Sequence, residues 1–191
     1  MNFYIADTHF RHENVIKFDN RPFENMIEME NKIIENWNNK VKSSDMTYIL
    51  GDFCWSKDED VWIEILIKLN GQKTLIKGNH DLKQISSKLK NKFSDIKDYK
   101  EIKDSGYGIT MCHYPIMFYK SSYNPTNYML HGHLHNTKEQ TFIEKWKKEV
   151  KDSHFLRSDA CGNIINIGCM MYYMNYTPMT IEEIIKGVGV S

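Results

Sequence analysis

Gly78-Asn79-His80-Asp81 directly follows the apolar run Thr74-Leu75-Ile76. A glycine, an amide, an imidazole and a carboxylate in consecutive positions make poor core and poor helix, but a good site. Asn79 offers a neutral oxygen ligand, His80 a proton donor or acceptor near neutral pH, and Asp81 a carboxylate to orient that imidazole; Gly78 lets the backbone turn the group into a cleft. The same pattern, an apolar run ending in ligand or acid-base side chains, recurs along the chain and yields Asp7, His9, Asp52, Asn79, His80, His113, His133 and His135. Aspartate and imidazole without thiolate suit borderline divalent ions such as manganese, iron or zinc rather than calcium. So many ligands exceed what one ion takes, whereas two ions roughly 3.5–4 Å apart and sharing a carboxylate would use them all. Taken singly, each has a plain structural explanation: Asp7 as a turn cap, Asp52 in a Gly-Asp bend, His113 as a satisfied histidine under a loop. Their joint occurrence at strand ends is what points to a site.

The elements that must position these residues can be read from periodicity. Short apolar runs at 3–6, 46–50, 73–76, 128–130 and 164–167 read as buried strands, and 96–102 and 107–111 as two strands joined by a turn at Asp104-Ser105-Gly106. A single parallel or mixed sheet would bring the polar residues behind these runs to one edge, where open α/β sheets place their sites. Helical spacing predicts an amphipathic helix over 24–40 and another that starts at Ser56-Lys57-Asp58-Glu59, carries Val61, Trp62, Ile65, Leu66 and Leu69, and closes at Gly71. A further amphipathic segment covers 82–93, and a charged helix covers 137–152 with Phe142, Ile143, Trp146 and Val150 inward. Thr180-x-x-Glu183 predicts a capped terminal helix.

At 191 residues the natural expectation is one domain over 1–191. Lys plus Arg equal Asp plus Glu at 25 each, so the charge balance predicts no global attraction to nucleic acid or anionic membrane. Cys54, Cys112, Cys161 and Cys169 have no C-x-x-C spacing and read as reduced thiols in a cytoplasmic protein. Because the first residues reach Asp7 and His9 at once, no secretory leader is expected, and no apolar run approaches the roughly 20 residues of a membrane helix.

Asp7-x-His9, Gly51-Asp52, Gly78-Asn79-His80-Asp81, His113 and Gly132-His133-Leu134-His135 resemble the five ordered motifs of the calcineurin-like metallophosphoesterases. Asn166-Ile167-Gly168 is also similar to that family, and Asp7-Thr8-His9-Phe10-x-His12-x-Asn14 resembles its small bacterial and phage members. The resemblance implies an α/β fold (mixed α+β) of two packed mixed β-sheets flanked by helices, an αββα sandwich. It implies one metal held by Asp7, His9 and His135, another by Asn79, His113 and His133, and Asp52 between them. His80 would be the acid at the leaving oxygen, held by Asp81. The cofactors would be two divalent ions, manganese foremost, with iron, zinc, nickel or magnesium as alternatives. They would polarise a phosphate and activate a water for in-line attack. The expected substrates are phosphodiesters of nucleotides or nucleic acid, because the short connections leave little material for large caps. A monoesterase or phosphoprotein phosphatase on the same site, or a non-catalytic scaffold, is the alternative.

Around this set, His12, Arg21 and Arg11 are candidate substrate contacts, Arg21 as a bidentate clamp. His131 is expected to face away from the metals in a structural role, and His154 to be exposed. The run Met170-Met171-Tyr172-Tyr173-Met174-x-Tyr176 reads as packing rather than a stacking lip. Lys145, Lys147, Lys148 and Lys151, interrupted by Glu144, Glu149 and Asp152, read as a solvated helix face rather than a nucleic-acid stripe.

Overall fold

Successive residues of the first strand, β1 (Asn2–Ile5), serve different layers. Phe3 and Ile5 join a core containing Met29, Ile33, Trp37, Trp62 and Leu89, while Tyr4 and the adjoining Ala6 join a second core with Leu130, Ile165 and Ile167. A strand buried on both faces needs apolar residues at every position, which is why 3–6 is a continuous run and not an alternation. The computed structural model describes residues 1–153 and 162–189; His154 and Cys161 lie outside the described residues.

β1, β2 (Met46–Ile49), β3 (Gln72–Ile76) and β4 (Asp95–Lys97) form a wholly parallel sheet in that order. β5 (Tyr99–Asp104), β6 (Tyr107–Cys112), β7 (Asn127–His131) and β8 (Ile164–Asn166) form a mixed one, in which only the β5–β6 hairpin is antiparallel. Residues 96–102 are therefore not one strand. The chain leaves the first sheet at Lys97, turns through Asp98 and enters the second sheet at Tyr99, because the two halves of the run pair with different neighbours.

A short helix, α1 (Asn14–Phe18), precedes α2 (Met26–Lys40) and α3 (Glu59–Lys68), and these last two cover the outer face of the first sheet. Trp37 and Trp62 are fully buried there, and each indole N–H finds a carbonyl, of Asn70 at 3.0 Å and of Ser56 at 2.8 Å. Truncating either would cost about 3–5 kcal/mol. The segment 82–93 keeps only one helical turn, α4 (Ser87–Lys90), started by the Ser86 hydroxyl, which accepts from the Leu89 N–H. Leu82, Leu89 and Phe93 are nevertheless buried.

α5 (Lys138–Ser153) sets Trp146 against Met129 and Ile164 on the far face of the second sheet. Its buried stripe runs through Gln140, Ile143 and Val150, and Phe142 is 64% exposed, contrary to its predicted inward position. Gln140 displaces it from the buried side because its amide oxygen accepts from Asn166 Nδ2 at 2.9 Å. α6 (Ile181–Gly187), with its capping box, packs Ile181, Ile184 and Ile185 into the core between the sheets. Met174 and Tyr176 are buried, so the Met/Tyr run is mainly packing, although Tyr172 is exposed. No helix among the described residues is long and apolar enough to cross a membrane.

The layers helix, sheet, sheet and helix put the site at one edge. The Ala6 N–H donates to the Ile167 carbonyl at 3.0 Å, the Cys169 N–H to the Ala6 carbonyl at 2.8 Å and the Ile167 N–H to the His131 carbonyl at 2.7 Å. These bonds join the carboxyl ends of β1, β7 and β8, so the segments after the parallel strands of both sheets meet.

Candidate metal centre

Asp7, His9, Asp52 and His135 each turn a ligand atom into one space, and those atoms all lie within 4.8 Å of one another. The Nε2 atoms of His9 and His135 are 3.2 Å apart, Asp52 Oδ2 lies 3.7 Å from His9 Nε2, and Asp7 Oδ1 lies 4.0 Å from His135 Nε2. Asp7, His9, Asp52, His133 and His135 all have left-handed backbones, with φ of 54°, 50°, 49°, 69° and 49°. Such conformations cost non-glycine residues on the order of 1 kcal/mol each. Surrounding bonds hold them: the Asp7 N–H donates to the Gly51 carbonyl at 3.1 Å, and the His9 N–H to the Asp52 carbonyl at 3.0 Å. The His133 N–H reaches both carboxylate oxygens of Asp7 at 3.1 Å. Gly132 permits that approach, since a Cβ there would sit 2.6 Å from Asp7 Oδ2.

Asn79, His113 and His133 form a looser group that also borders Asp52. His113 Nε2 is 3.0 Å from Asn79 Oδ1 and 3.6 Å from Asp52 Oδ2, and the His113 and His133 rings are 5.1 Å apart. His113 Nδ1 lies 2.9 Å from the Leu50 carbonyl. A carbonyl only accepts, so Nδ1 carries the proton and Nε2 presents its lone pair to the site. A Cβ at Gly78 would strike the Asp52 carboxylate, which explains the glycine ahead of Asn79. The His80 N–H donates to Asp52 Oδ1 at 2.9 Å, fixing that turn against the shared carboxylate.

Asp81 does not hold the His80 imidazole, as the sequence suggested. Its oxygens accept the backbone N–H groups of Gly78 at 2.8 Å, Phe53 at 2.9 Å and Asp52 at 3.1 Å, so it ties two loops together. His80 is flanked instead by Trp55, whose ring centroid is 4.7 Å away, and its carbonyl accepts from Lys57 Nζ at 2.9 Å. Trp55 also stacks on His12 at 3.9 Å with the planes 5° apart. His12 is buried in that stack, and its Nδ1 has no hydrogen-bond partner among the described residues.

Both arginines predicted to meet substrate are engaged with the protein. Arg21 is buried beneath the site, where Nη2 donates to the Asp7 carbonyl at 2.9 Å, Nη1 to the Thr8 carbonyl at 3.2 Å, and Nε and Nη2 to Asp19 Oδ2 at 2.9 and 2.8 Å. Arg11 pairs with Glu30 on α2 and Glu64 on α3, each at 3.2 Å. His131 is fully buried, with Nδ1 2.8 Å from the Gly132 carbonyl, and contributes no atom to the Asp7, His9, Asp52 and His135 cluster. Lys145 and Lys148 are exposed, in keeping with a solvated helix face, whereas the Lys147 side chain is largely covered and pairs with Glu144 at 3.0 Å. Sequence reasoning missed Asp19, Trp55 and Lys57; the only local signal for Asp19 is its place two residues before Arg21.

Burial pushes the Asp7 carboxyl above its ordinary range, against the pull of His135 and His113. Burial, joined by the nearby Arg21 charge, pushes His9 well down, so its imidazole stays neutral. His133 is also lowered, first by burial and then by His113. Burial works against a charged His135, but its hydrogen bond to Asp19 and the Asp7 carboxylate outweigh it and raise the group. Asp81 is pushed up to about 6 by burial, which exceeds the effect of its backbone N–H donors. Two buried carboxylates beside the lowered imidazoles of His9 and His133 suit a divalent cation, which would offset the carboxylates' mutual repulsion and take the ring lone pairs.

A family model described as calcineurin-like phosphoesterase matches residues 3–170. An uncharacterized protein, MJ1445, of Methanocaldococcus jannaschii is 33% identical over 187 residues, covering 96% of this chain and 89% of its own. The crystal structure of a protein of unknown function from Aquifex aeolicus, AQ665, superposes with a TM-score of 0.67 at 28% identity, covering 97% of this chain and 98% of its own. With the two sheets, the flanking helices and the Asp/His cluster in place, the match over residues 3–170 means that the chain belongs to the calcineurin-like phosphoesterase family.

Proposed function

We propose that the protein is a hydrolase that uses two divalent cations to cleave phosphodiesters of nucleotides or nucleic acid. The observation that carries this is the position of Asp52, whose Oδ2 lies within reach of both groups, 3.7 Å from His9 Nε2 and 3.6 Å from His113 Nε2. Asp7, His9 and His135 would hold one cation and Asn79, His113 and His133 the other, with Asp52 common to both. The carboxylate, imidazole and amide donors suit manganese foremost, with iron, zinc, nickel or magnesium as substitutes. When bound, such cations polarise the phosphoryl oxygens and make a water acidic enough to attack near neutral pH.

The chain's own residues supply orientation and a proton. The Leu50 carbonyl directs His113 Nε2 into the site. His80 donates a proton to the departing oxygen; among the described residues its ring has no hydrogen-bonded partner to compete for that proton. Asp81 acts one step back, keeping the turn that carries Asn79 and His80 against Asp52. His12 supports the Trp55 ring.

The preference for nucleotide diesters rests on what borders the ligands. Trp55 and Tyr114 are 38% and 45% exposed, the first beside His80 and the second with its ring 4.7 Å from His133. Exposed aromatic surface suits a base or aryl leaving group. Next to Asn79, a groove of about 320 Å³ is lined by Lys77, Lys83, Cys112 and Tyr114 together with Asp81 and Asp98; Asp98 pairs with Lys77 at 3.2 Å, which leaves Lys83 as the cation to meet a second anionic group. We further read 1–191 as one domain working in the cytoplasm, a setting that the free thiols of Cys54, Cys112 and Cys169 suit.

The test is hydrolysis by Mn2+-loaded protein of bis-p-nitrophenyl phosphate against p-nitrophenyl phosphate. Faster diester cleavage supports the proposal. A monoester preference would move it to a monoesterase or phosphoprotein phosphatase, and turnover of neither substrate at full metal load would make the fold a binding scaffold here.

A further inference from the structure

We infer that Asp19 and Arg21 are a positioning pair: Asp19 sets the tautomer and aim of His135, and Arg21 clamps the Asp7-Thr8-His9 turn from below. The inference rests on the two-cation reading of the site and assigns work to two residues outside its ligand set.

The Asp19 side chain is 4% exposed, and its two oxygens have separate tasks. Oδ1 is 2.7 Å from His135 Nδ1, and Oδ2 accepts both Nε and Nη2 of Arg21. An ionised carboxylate only accepts, so the proton sits on His135 Nδ1 and the Nε2 lone pair points at Asp7, His9 and Asp52. His135 lies 116 positions away in sequence, and its own backbone has another anchor: its carbonyl accepts from Asn166 Nδ2 at 2.9 Å.

The Arg21 side chain is completely buried. A buried ion pair stabilises a fold only weakly, because desolvation offsets most of the attraction, so its stability contribution does not explain its presence here. Its polar contacts do explain it. Apart from Asp19 and a 3.5 Å approach to the Met29 sulfur, its donors go to the carbonyls of Asp7 and Thr8. Those residues carry the left-handed turn that delivers Asp7 and His9. The Tyr176 ring, 5.9 Å from the guanidinium carbon, and the Cys169 thiol, which donates to the same Asp7 carbonyl at 3.2 Å, complete the seat.

Asp19→Asn is nearly isosteric but cannot serve both partners. If its oxygen accepts from His135, its NH2 faces Arg21; if its oxygen faces Arg21, its NH2 donates to Nδ1 and forces the proton onto Nε2. Arg21→Lys keeps the charge and loses the fork that reaches Asp19 and two carbonyls at once. Mn2+ binding to wild type, Asp19→Asn and Arg21→Lys would be measured by calorimetry and electron paramagnetic resonance. In both variants we expect one of two positions to weaken by about 10- to 100-fold, with the other unchanged. Two positions within twofold of wild type in folded Asp19→Asn would overturn the inference. Should that variant not fold, side-chain 15N spectra of Zn2+-loaded wild type decide the matter. His135 protonated at Nδ1 is the expected result, and protonation at Nε2 overturns the assignment. Wild type that takes up no Mn2+ would instead sink the two-cation reading, and this inference with it.

Discussion

His135 and His133 stand two residues apart and are held in different ways. His135 Nδ1 is tied to the buried Asp19 carboxylate, whereas the His133 ring has no hydrogen-bond partner among the described residues, packs against the His113 and Tyr114 rings and is placed through its backbone N–H. The contrast extends to their groups. Asp7 and His9 are buried and held from below by Arg21, while Asn79 is exposed on a turn whose neighbour His80 is anchored to Asp52. One half of the site is thus built by the protein before any ion arrives. The other has one rigid member, His113, and leaves more of its geometry to the ion and substrate. Preorganised ligands need less ordering on binding, so the two positions should differ in affinity.

Substitution of the residue common to both halves should have the largest effect. Asp52→Asn is expected to lower kcat on bis-p-nitrophenyl phosphate on the order of 10³-fold and to cut metal content; activity within tenfold of wild type would remove Asp52 as the link between the halves. Next is His80→Ala, which should lose about 10²-fold or more in kcat while metal content stays at the wild-type level, as inductively coupled plasma analysis would show. Loss of metal together with activity would instead move His80 into the ligand set. Stripping the protein with a chelator and titrating Mn2+ back should give two binding steps at least about tenfold apart. Equal steps would break the comparison of a built half with an open one. The smallest effect is expected from Trp55→Ala: KM for thymidine p-nitrophenyl phosphate should rise about fivefold, from the loss of roughly 1 kcal/mol of stacking, with kcat nearly unchanged. An unchanged KM would mean that Trp55 only supports His12 and His80.

The fold was legible where local pattern and tertiary need coincide. Runs such as 3–6 and 164–167 are apolar at nearly every position because both faces of each strand are covered, and Thr180 with Glu183 forms the capping box that its spacing predicts. The division of 96–102 at Asp98 was not legible, since no change of composition marks where a chain changes its pairing partner. Nor was Phe142, which is displaced from the buried stripe by Gln140 for the sake of one hydrogen bond to Asn166.

The chemical types of the site and their place behind strands are properties of the chain order alone. Parallel strands send the residues at their carboxyl ends to one edge, which gathers Asp7, Asp52 and Asn79 in one sheet and His113 and His133 in the other; the bonds between Ala6 and the segment after β8 bring the two edges together. How each side chain is used is a property of the folded molecule. Arg21 and Asp81 look like site groups in the sequence, yet one grips the carbonyls of Asp7 and Thr8 and the other the N–H groups of Gly78, Asp52 and Phe53. Asp19, silent in the sequence, reaches His135 across 116 positions. A side chain's partner is chosen by burial and distance in the folded chain, and periodicity carries no information about contacts at that separation.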